Sequence, residues 1–269
     1  MGARTMFRIK PGERVSLAKH DPADTRSLSD KDSAKAQTVE DAEAIDTLQD
    51  RLYAEGQRAL LVILQGTDTS GKDGTIRNVF NATGPLGVSV TAFRAPSEEE
   101  RAHDYLWRVH LACPGRGTIG IFNRSHYEEV LIARVKRFAP ADEIEARYEQ
   151  INAFEKMLVE NGTTILKFML HVSKEEQGKR LQARLDESKS RWKFDPADLE
   201  DRKHWDGYRR AYEIMLARCS SDWAPWHVIP ADHKWVRNAT IAAIVRATLE
   251  AMKPKYPKPD WDPKQFKLE

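Results

Sequence analysis

Five consecutive apolar residues, Leu60 to Leu64, lead directly into Gln65-Gly66-Thr67-Asp68-Thr69-Ser70-Gly71-Lys72-Asp73-Gly74-Thr75. A short apolar run closed by a glycine turn reads as one buried parallel strand. Beyond the turn, Ile76, Val79 and Phe80 stand at helical spacing. Strand, glycine-rich turn, Gly-Lys and helix in that order build a phosphate-binding loop. The glycines let successive N–H groups curl around an anion, and the helix N-terminus adds its dipole. The expected cradle is Gly66, Thr67, Thr69, Ser70, Gly71, Asp73, Gly74 and Thr75, with Lys72 bringing a mobile positive charge to the terminal phosphates. Two acids make the loop unusual. Asp73 stands where a Mg²⁺-binding Ser or Thr commonly follows the lysine, and Asp68 lies inside the cradle. A carboxylate there repels phosphate unless a divalent cation lies between them, so Asp68 is read as a metal ligand. The competing reading is a bare turn that starts a helix.

Four more strand candidates follow: Val88–Phe93, Thr118–Phe122, Thr164–Leu170 and His227–Ile229. Helical segments separate them, and that alternation argues for a parallel sheet covered on both faces. Ahead of the loop, Ile45, Leu48 and Leu52 mark a helix that Gly56 ends. Ser97 with Glu100 and Ser173 with Glu176 read as capping boxes, and Asp142 starts a weaker version. Ile144, Tyr148, Ile151 and Leu158 form the core stripe of the helix after Asp142. The expected boundaries are an N-terminal extension and helix over 1–56, a core over 57–172 and 206–252, a lid over 173–205 and an extended tail over 253–269. All belong to one domain.

The lid departs from a plain alternating fold. From Lys174 to Lys193 there are seven Lys or Arg against four Asp or Glu, with Gln177, Arg180 and Arg184 on one helical face. A basic insertion after the fourth strand suits a cover over phosphates; the alternative is a solvated helix face.

Composition narrows the function classes. With 43 basic and 41 acidic residues in 269, the net charge of +2 carries no global signature for nucleic acid. No apolar run approaches the roughly 18 residues that span a bilayer. Met1 to Lys10 lacks the apolar stretch of a signal peptide, so a cytoplasmic location is expected. Cys113 and Cys219 are expected as reduced thiols, and the scattered histidines, His103 and His110 included, as structural residues.

A second chemical cluster follows the third strand at Asn123-Arg124-Ser125-His126-Tyr127-Glu128-Glu129. Ligands of open α/β sheets bind beyond the carboxyl ends of strands. In a phosphate-loop fold this strand commonly ends in an Asp that serves Mg²⁺. Here Asn123 is a neutral oxygen ligand, and Glu128 or Glu129 could restore the missing charge. Arg124 would clamp phosphate; its alternative is a surface ion pair. Arg94 follows the second strand, where nucleoside monophosphate kinases of the thymidylate kinase type hold the acceptor phosphate with an Arg-Glu-Pro-like motif. Ala95 replaces that acid, leaving phosphate contact and structural arginine both open.

Together these pieces resemble a polyphosphate kinase of the second family. The likeness runs from Arg8-Ile9-Lys10-Pro11-Gly12 through the Asp-containing loop and Arg124-Ser125-His126-Tyr127, then Trp192-Lys193-Phe194, to Trp226-His227-Val228-Ile229-Pro230-Ala231-Asp232. The resemblance implies a three-layer P-loop fold of the thymidylate-kinase kind, with a five-stranded parallel sheet and a helical lid. It implies phosphoryl transfer between inorganic polyphosphate and nucleotides, with Mg²⁺ or Mn²⁺, and a dimer or tetramer. It places Asp68 and Lys72 in a first phosphate loop, Arg124 in a second, and Arg180 and Arg184 in the lid. Asn123 with Glu128 is similar to the subgroup usually called class III, which converts both AMP to ADP and ADP to ATP.

Polyphosphate presents charge and chain geometry but no base, so its site is expected to be a basic groove. The lid arginines, Lys193, Arg134 and Lys136 are the candidates. Asp68, Asn123 and Glu128 form the expected metal set, with Asp68, Lys72, Arg124 and Glu128 as the catalytic group. Adenine nucleotides are expected, with guanine as an alternative base, and neither nucleic acid nor membrane as partner. Two rival readings remain: an ATP-dependent nucleoside monophosphate kinase, and a non-catalytic protein that binds nucleotide or polyphosphate.

Overall fold

All seven residues from Ala59 to Gln65 are buried, and they form the central strand β1. In the computed structural model, which describes residues 2–25, 28 and 30–266, four strands flank it. These are β2 (Val88–Ala92), β3 (Ile119–Asn123), β4 (Thr163–His171) and β5 (Trp226–Pro230). All pair in parallel, in the order β2-β3-β1-β4-β5. Each expected strand is present within one residue of its bounds.

The helices in chain order are α1 (Lys31–Glu55), α2 (Lys72–Val79), α3 (Glu98–Ala102), α4 (Trp107–Ala112) and α5 (Ile132–Lys136). There follow α6 (Ala141–Glu160), α7 (Lys174–Asp186), α8 (Pro196–Lys203), α9 (Trp205–Cys219) and α10 (Lys234–Met252). Side chains of β1 alternate between two cores, as the two-residue period of a strand requires. Leu61 and Ile63 pack with Phe122 and Ile165 against Tyr148 and Ile151 of α6 and Met215 of α9. Leu60, Val62 and Leu64 pack with Ile121 and Phe168 against Ile45 and Leu52 of α1 and Ile241 and Val245 of α10. The sheet therefore lies between two helical layers. The chain leaves β1 toward β2 on one side and leaves β3 toward β4 on the other. Such a reversal opens a crevice beyond the carboxyl ends of β1 and β3.

Helix ends follow their local chemistry. Gly56 closes α1 in the left-handed region at φ 63°. Ser97 and Glu100 form the expected reciprocal box. The box at Ser173 is only half formed. Ser173 Oγ accepts from Glu176 N, but the Glu176 carboxylate turns to Arg180, and Asp232 accepts the Ser173 N–H instead. No side chain caps α6, so Asp142 and Glu143 act there only on the helix dipole.

The N-terminal extension is more ordered than its polar composition suggests. Ile9, Val15 and Leu17 are buried. Phe7 O accepts from Val228 N, and Ile9 N donates to Trp226 O, both at 2.9 Å. This segment covers the outer edge of β5, which would otherwise expose unpaired backbone groups. The tail leaves α10 at Lys253 in the left-handed region, and Tyr256 Oη donates to Asp50 at 2.6 Å. The expected irregular extension and tail also include residues 1, 26, 27, 29 and 267–269, which lie outside the described residues. Cys219 is buried and Cys113 half-buried, both as free thiols. Among the described residues no helix is long and apolar enough to cross a membrane.

Candidate active site

Between β1 and α2 the chain turns through Gly66 to Gly71. Gly66 takes φ 152°, and a Cβ there would press on Leu170 O at 2.9 Å. Gly71 takes φ 107°, and a Cβ there would collide with the Arg237 guanidinium. Only glycine fits these two positions. Thr67 Oγ1, Thr69 Oγ1, Ser70 Oγ and Thr75 Oγ1 are buried without a hydrogen-bond partner. Buried donors left unmade are costly, and four in one loop suit an anion that brings its own acceptors.

Lys72 folds back over the loop. Its Nζ donates to Gly66 O at 2.7 Å and to Thr67 O at 3.3 Å. Burial, and then repulsion from Arg124, lowers its pKa to about 8 against the pull of Asp68, Glu128 and Asp73.

Arg124 leaves the end of β3 in the left-handed region at φ 63°, and its N–H donates to Leu64 O at 3.0 Å. This carries its guanidinium across to the loop. Nη2 meets Asp68 Oδ1 at 2.5 Å, and Nη1 stands 3.6 Å from Glu128 Oε2. Glu128 Oε1 accepts from Gln65 Nε2 at 3.0 Å. Two carboxylates, from the turns that follow β1 and β3, thus converge on one cation. Asn123 does not join them. Its Nδ2 donates to Asp73 Oδ1 at 2.6 Å, because its register beside Leu64 sets it over the first turn of α2. The expected metal set therefore divides into Asp68 with Glu128, and Asn123 with Asp73. Among the described residues no three His, Cys, Asp or Glu cluster as a ready metal site.

The lid arginines divide as well. Arg180 has five N–H donors. Nε meets Glu176, Nη1 meets Thr69 O and Ser70 O, and Nη2 meets Ala231 O and Asp232 O. All five are engaged within the protein, so in this structure Arg180 braces the loop from behind. Arg184 Nη1 donates to Lys193 O at 3.0 Å and Asp198 Oδ2 at 3.3 Å. Burial, then the charge of Asp68, pushes Asp198 up to about 6, so the lid's acid lies within the field of the loop's acid. The Lys193 ammonium sits 5.2 Å from the exposed Trp192 ring.

Arg134 stands away from the loop. It pairs with Glu145 at 2.7 Å and lines a groove with Arg137, Lys203 and Arg210. Lys136 pairs with Asp201 at 2.5 Å. Arg94 is exposed at the end of β2, and its carbonyl accepts from Arg108 at 2.9 Å.

Sequence reasoning missed several pocket residues. Trp205, Tyr208 and Tyr212 of α9 share the pocket with Asp68, Arg124 and Glu128. Gln177 is buried, donating to Asp68 O and accepting from Arg202. Beneath the Arg124 turn lies a buried network. Lys167 Nζ donates to Glu155 Oε2 at 2.5 Å, Tyr127 Oη at 2.8 Å and Cys219 O at 2.7 Å. Tyr127 Oη donates to Glu155 Oε1 at 2.8 Å, with His126 Nε2 at 3.3 Å from the same oxygen. Burial opposes the Glu155 charge, yet Lys167 and His126 hold its pKa below the usual carboxylate value. This network anchors the turn that carries Arg124 and Glu128.

The model of the family described as Polyphosphate kinase 2 (PPK2) matches residues 28–257. The chain belongs to the polyphosphate kinase 2 family. Within it, the chain is 48% identical over 255 residues to an AMP/ADP-polyphosphate phosphotransferase of Meiothermus ruber, covering 94% of this chain and 96% of that one. It is 41% identical to an ADP-polyphosphate phosphotransferase of Rhodopseudomonas palustris, over 93% and 91% of the two chains. The crystal structure of Polyphosphate Kinase 2 from Arthrobacter aurescens superposes with a TM-score of 0.95 at 41% identity, covering 98% of this chain and 95% of that one. The resemblance read from the loop and the Arg-Ser-His-Tyr turn is therefore correct at the level of the family.

Proposed function

We propose that this protein is a magnesium-dependent polyphosphate:nucleotide phosphotransferase that phosphorylates AMP and ADP. One observation carries the reading: Asp68, Lys72, Arg124 and Glu128 meet where β1 and β3 end, beside a loop of unpartnered hydroxyls. Phosphoryl transfer needs positioning and charge neutralisation more than covalent chemistry. The loop N–H groups and Lys72 hold the terminal phosphates. Arg124 exchanges its carboxylate partners for the transferred group and stabilises its charge. Tyr208 and Tyr212 narrow the pocket and exclude water. The acceptor oxygen is already ionised, so no side chain has to remove a proton.

The residues fit a hard cation. Asp68 and Glu128 offer carboxylate oxygens that already converge on one positive charge, and phosphate and water would complete the shell. Bound Mg²⁺, or Mn²⁺, would offset the negative charge shared by donor and acceptor phosphates. Asn123 and Asp73 face each other at the loop's other side and would act on the acceptor. The AMP/ADP specificity rests on this arrangement and on the name of the Meiothermus ruber relative. A dimer or tetramer in the cytoplasm, with adenine as the base and guanine as an alternative, belongs to the same reading.

The test is a choice of donor. With AMP, Mg²⁺ and polyphosphate as the only donor, ADP and then ATP should form. Product from ATP as donor, and none from polyphosphate, would make the chain an ordinary nucleoside monophosphate kinase. A finer test concerns Glu128. AMP and ADP differ by one phosphate and must bring their terminal groups to one transfer point. Glu128→Ala should lower kcat/KM for AMP about tenfold more than for ADP, because the shorter acceptor relies on charge held at this turn. Equal losses would make Glu128 a general residue of the site.

A further inference from the structure

Arg237 lies in the first turn of α10, directly behind the phosphate loop, and is 2% exposed. Its Nη1 donates to Ser70 O at 3.1 Å, and Nε and Nη2 reach Asn238 Oδ1 at 3.1 and 2.9 Å. A Cβ on Gly71 would collide with this guanidinium, and one on Gly74 would lie 3.1 Å from Nη2. The loop's glycines thus let a full positive charge press against their backbone. Among the described residues no carboxylate pairs with it, and the charged group felt most is Arg180, of the same sign. Burial, then Arg180, pushes its pKa down to about 10. Lys167, a cation buried as deeply in the core, has Glu155 at 2.5 Å. A buried cation without an anion is costly, and a neutral side chain of similar size would fill the space at less cost.

We infer that Arg237 is a fixed counter-charge for the polyanion bound on the pocket side of the loop, so that phosphate binding relieves an electrostatic cost built into the ligand-free fold. The guanidinium does not touch the ligand. It acts through the loop backbone and across a few ångströms of low-dielectric interior, where salt screens little. It is a positioning residue whose charge, and not only its hydrogen bond to Ser70 O, tunes the loop for multiply charged phosphate. The inference rests on the phosphate-loop reading above.

The experiment is a calorimetric titration of inorganic pyrophosphate with Mg²⁺ at low and high salt, with unfolding temperatures of the ligand-free proteins. The variants are Arg237→Gln, Arg237→Met and Arg237→Lys. The two neutral variants should unfold no lower than the parent without ligand, yet bind pyrophosphate on the order of tenfold more weakly at both salt concentrations. Arg237→Lys, which keeps the charge, should bind within about threefold of the parent. Unchanged affinity in the neutral variants would overturn the inference. So would an equal loss in all three accompanied by lower unfolding temperatures, which marks a packing role. If the neutral variants do not fold, Arg237→Lys decides: retained affinity supports the counter-charge, and a tenfold loss overturns it. Failure of the parent to bind pyrophosphate would overturn the phosphotransferase reading together with this inference, whereas a binding parent with unchanged variants overturns the inference alone.

Discussion

Lys72→Ala should reduce kcat with polyphosphate by on the order of 10²-fold or more, since it removes a positioned charge from the transfer point. The fold should survive, because the lysine's partners are the carbonyls of Gly66 and Thr67, which water can satisfy. A pH signature separates this effect from a collapsed loop. In the ligand-free protein Lys72 titrates at about 8. A bound polyanion favours the ammonium, so binding takes up a proton at higher pH. Affinity for pyrophosphate should fall as pH rises through about 8, by up to about tenfold per pH unit. In the alanine variant that fall should vanish. The same shift has a stability consequence of opposite sense. The unfolded side chain keeps the ordinary value of 10.5, so it binds more protons than the folded one above pH 8, and the ligand-free fold gains stability across that window. Near-normal kcat, or an unchanged alkaline fall in the variant, would remove Lys72 from the site.

Lys167→Met should cost about 3–5 kcal/mol of stability, measured by urea unfolding, because it strands Glu155 in the core. Glu155 is 1% exposed. A second change should reverse much of the loss. In Lys167→Met with Glu155→Gln, the charge is gone and the amide can still accept from Tyr127. If the single variant lost under about 1 kcal/mol, Lys167 would not be paying for Glu155's burial. Activity should fall further than stability alone explains, since the turn bearing Arg124 and Glu128 stands on Tyr127 and His126.

The strands were legible because each is a short apolar run ended by turn residues, and β1 alternates cleanly between two cores. The loop was legible because its glycines, lysine and following helix are contiguous. Partners were not. Arg180 and Arg184 share a helical face with Gln177, which in sequence is simply basic. Whether such an arginine meets phosphate or carbonyl depends on Ala231 and Asp232, fifty residues away. The Asn123 amide donates to Asp73, a contact that follows from its register beside Leu64 and that the sequence does not show. Lys167 did carry a signal. A lysine between Leu166 and Phe168, in a run otherwise apolar, must find an acid, but nothing nearby in sequence points to Glu155 on the preceding helix. Tyr208 and Tyr212 offered no signal, because only the return of α9 over the crevice brings them to the loop.

The bracing of the loop by Arg180 also sets the mechanics of the lid. With its guanidinium clasped by the loop and by the β5–α10 connection, the root of α7 moves with the core. Gln177, bonded to Asp68 O, adds a second pin one turn earlier. The last turn of α8 is held as well, by Arg202 on Lys174 O and Gln177 and by Asp201 on Lys136, which leaves the far end of α7, the Arg191–Lys193 turn and the first turn of α8 as the part with fewest ties to the core. Arg184 lies in that segment with Asp198. The cradle around Lys72 is thus braced from behind independently of that outer segment.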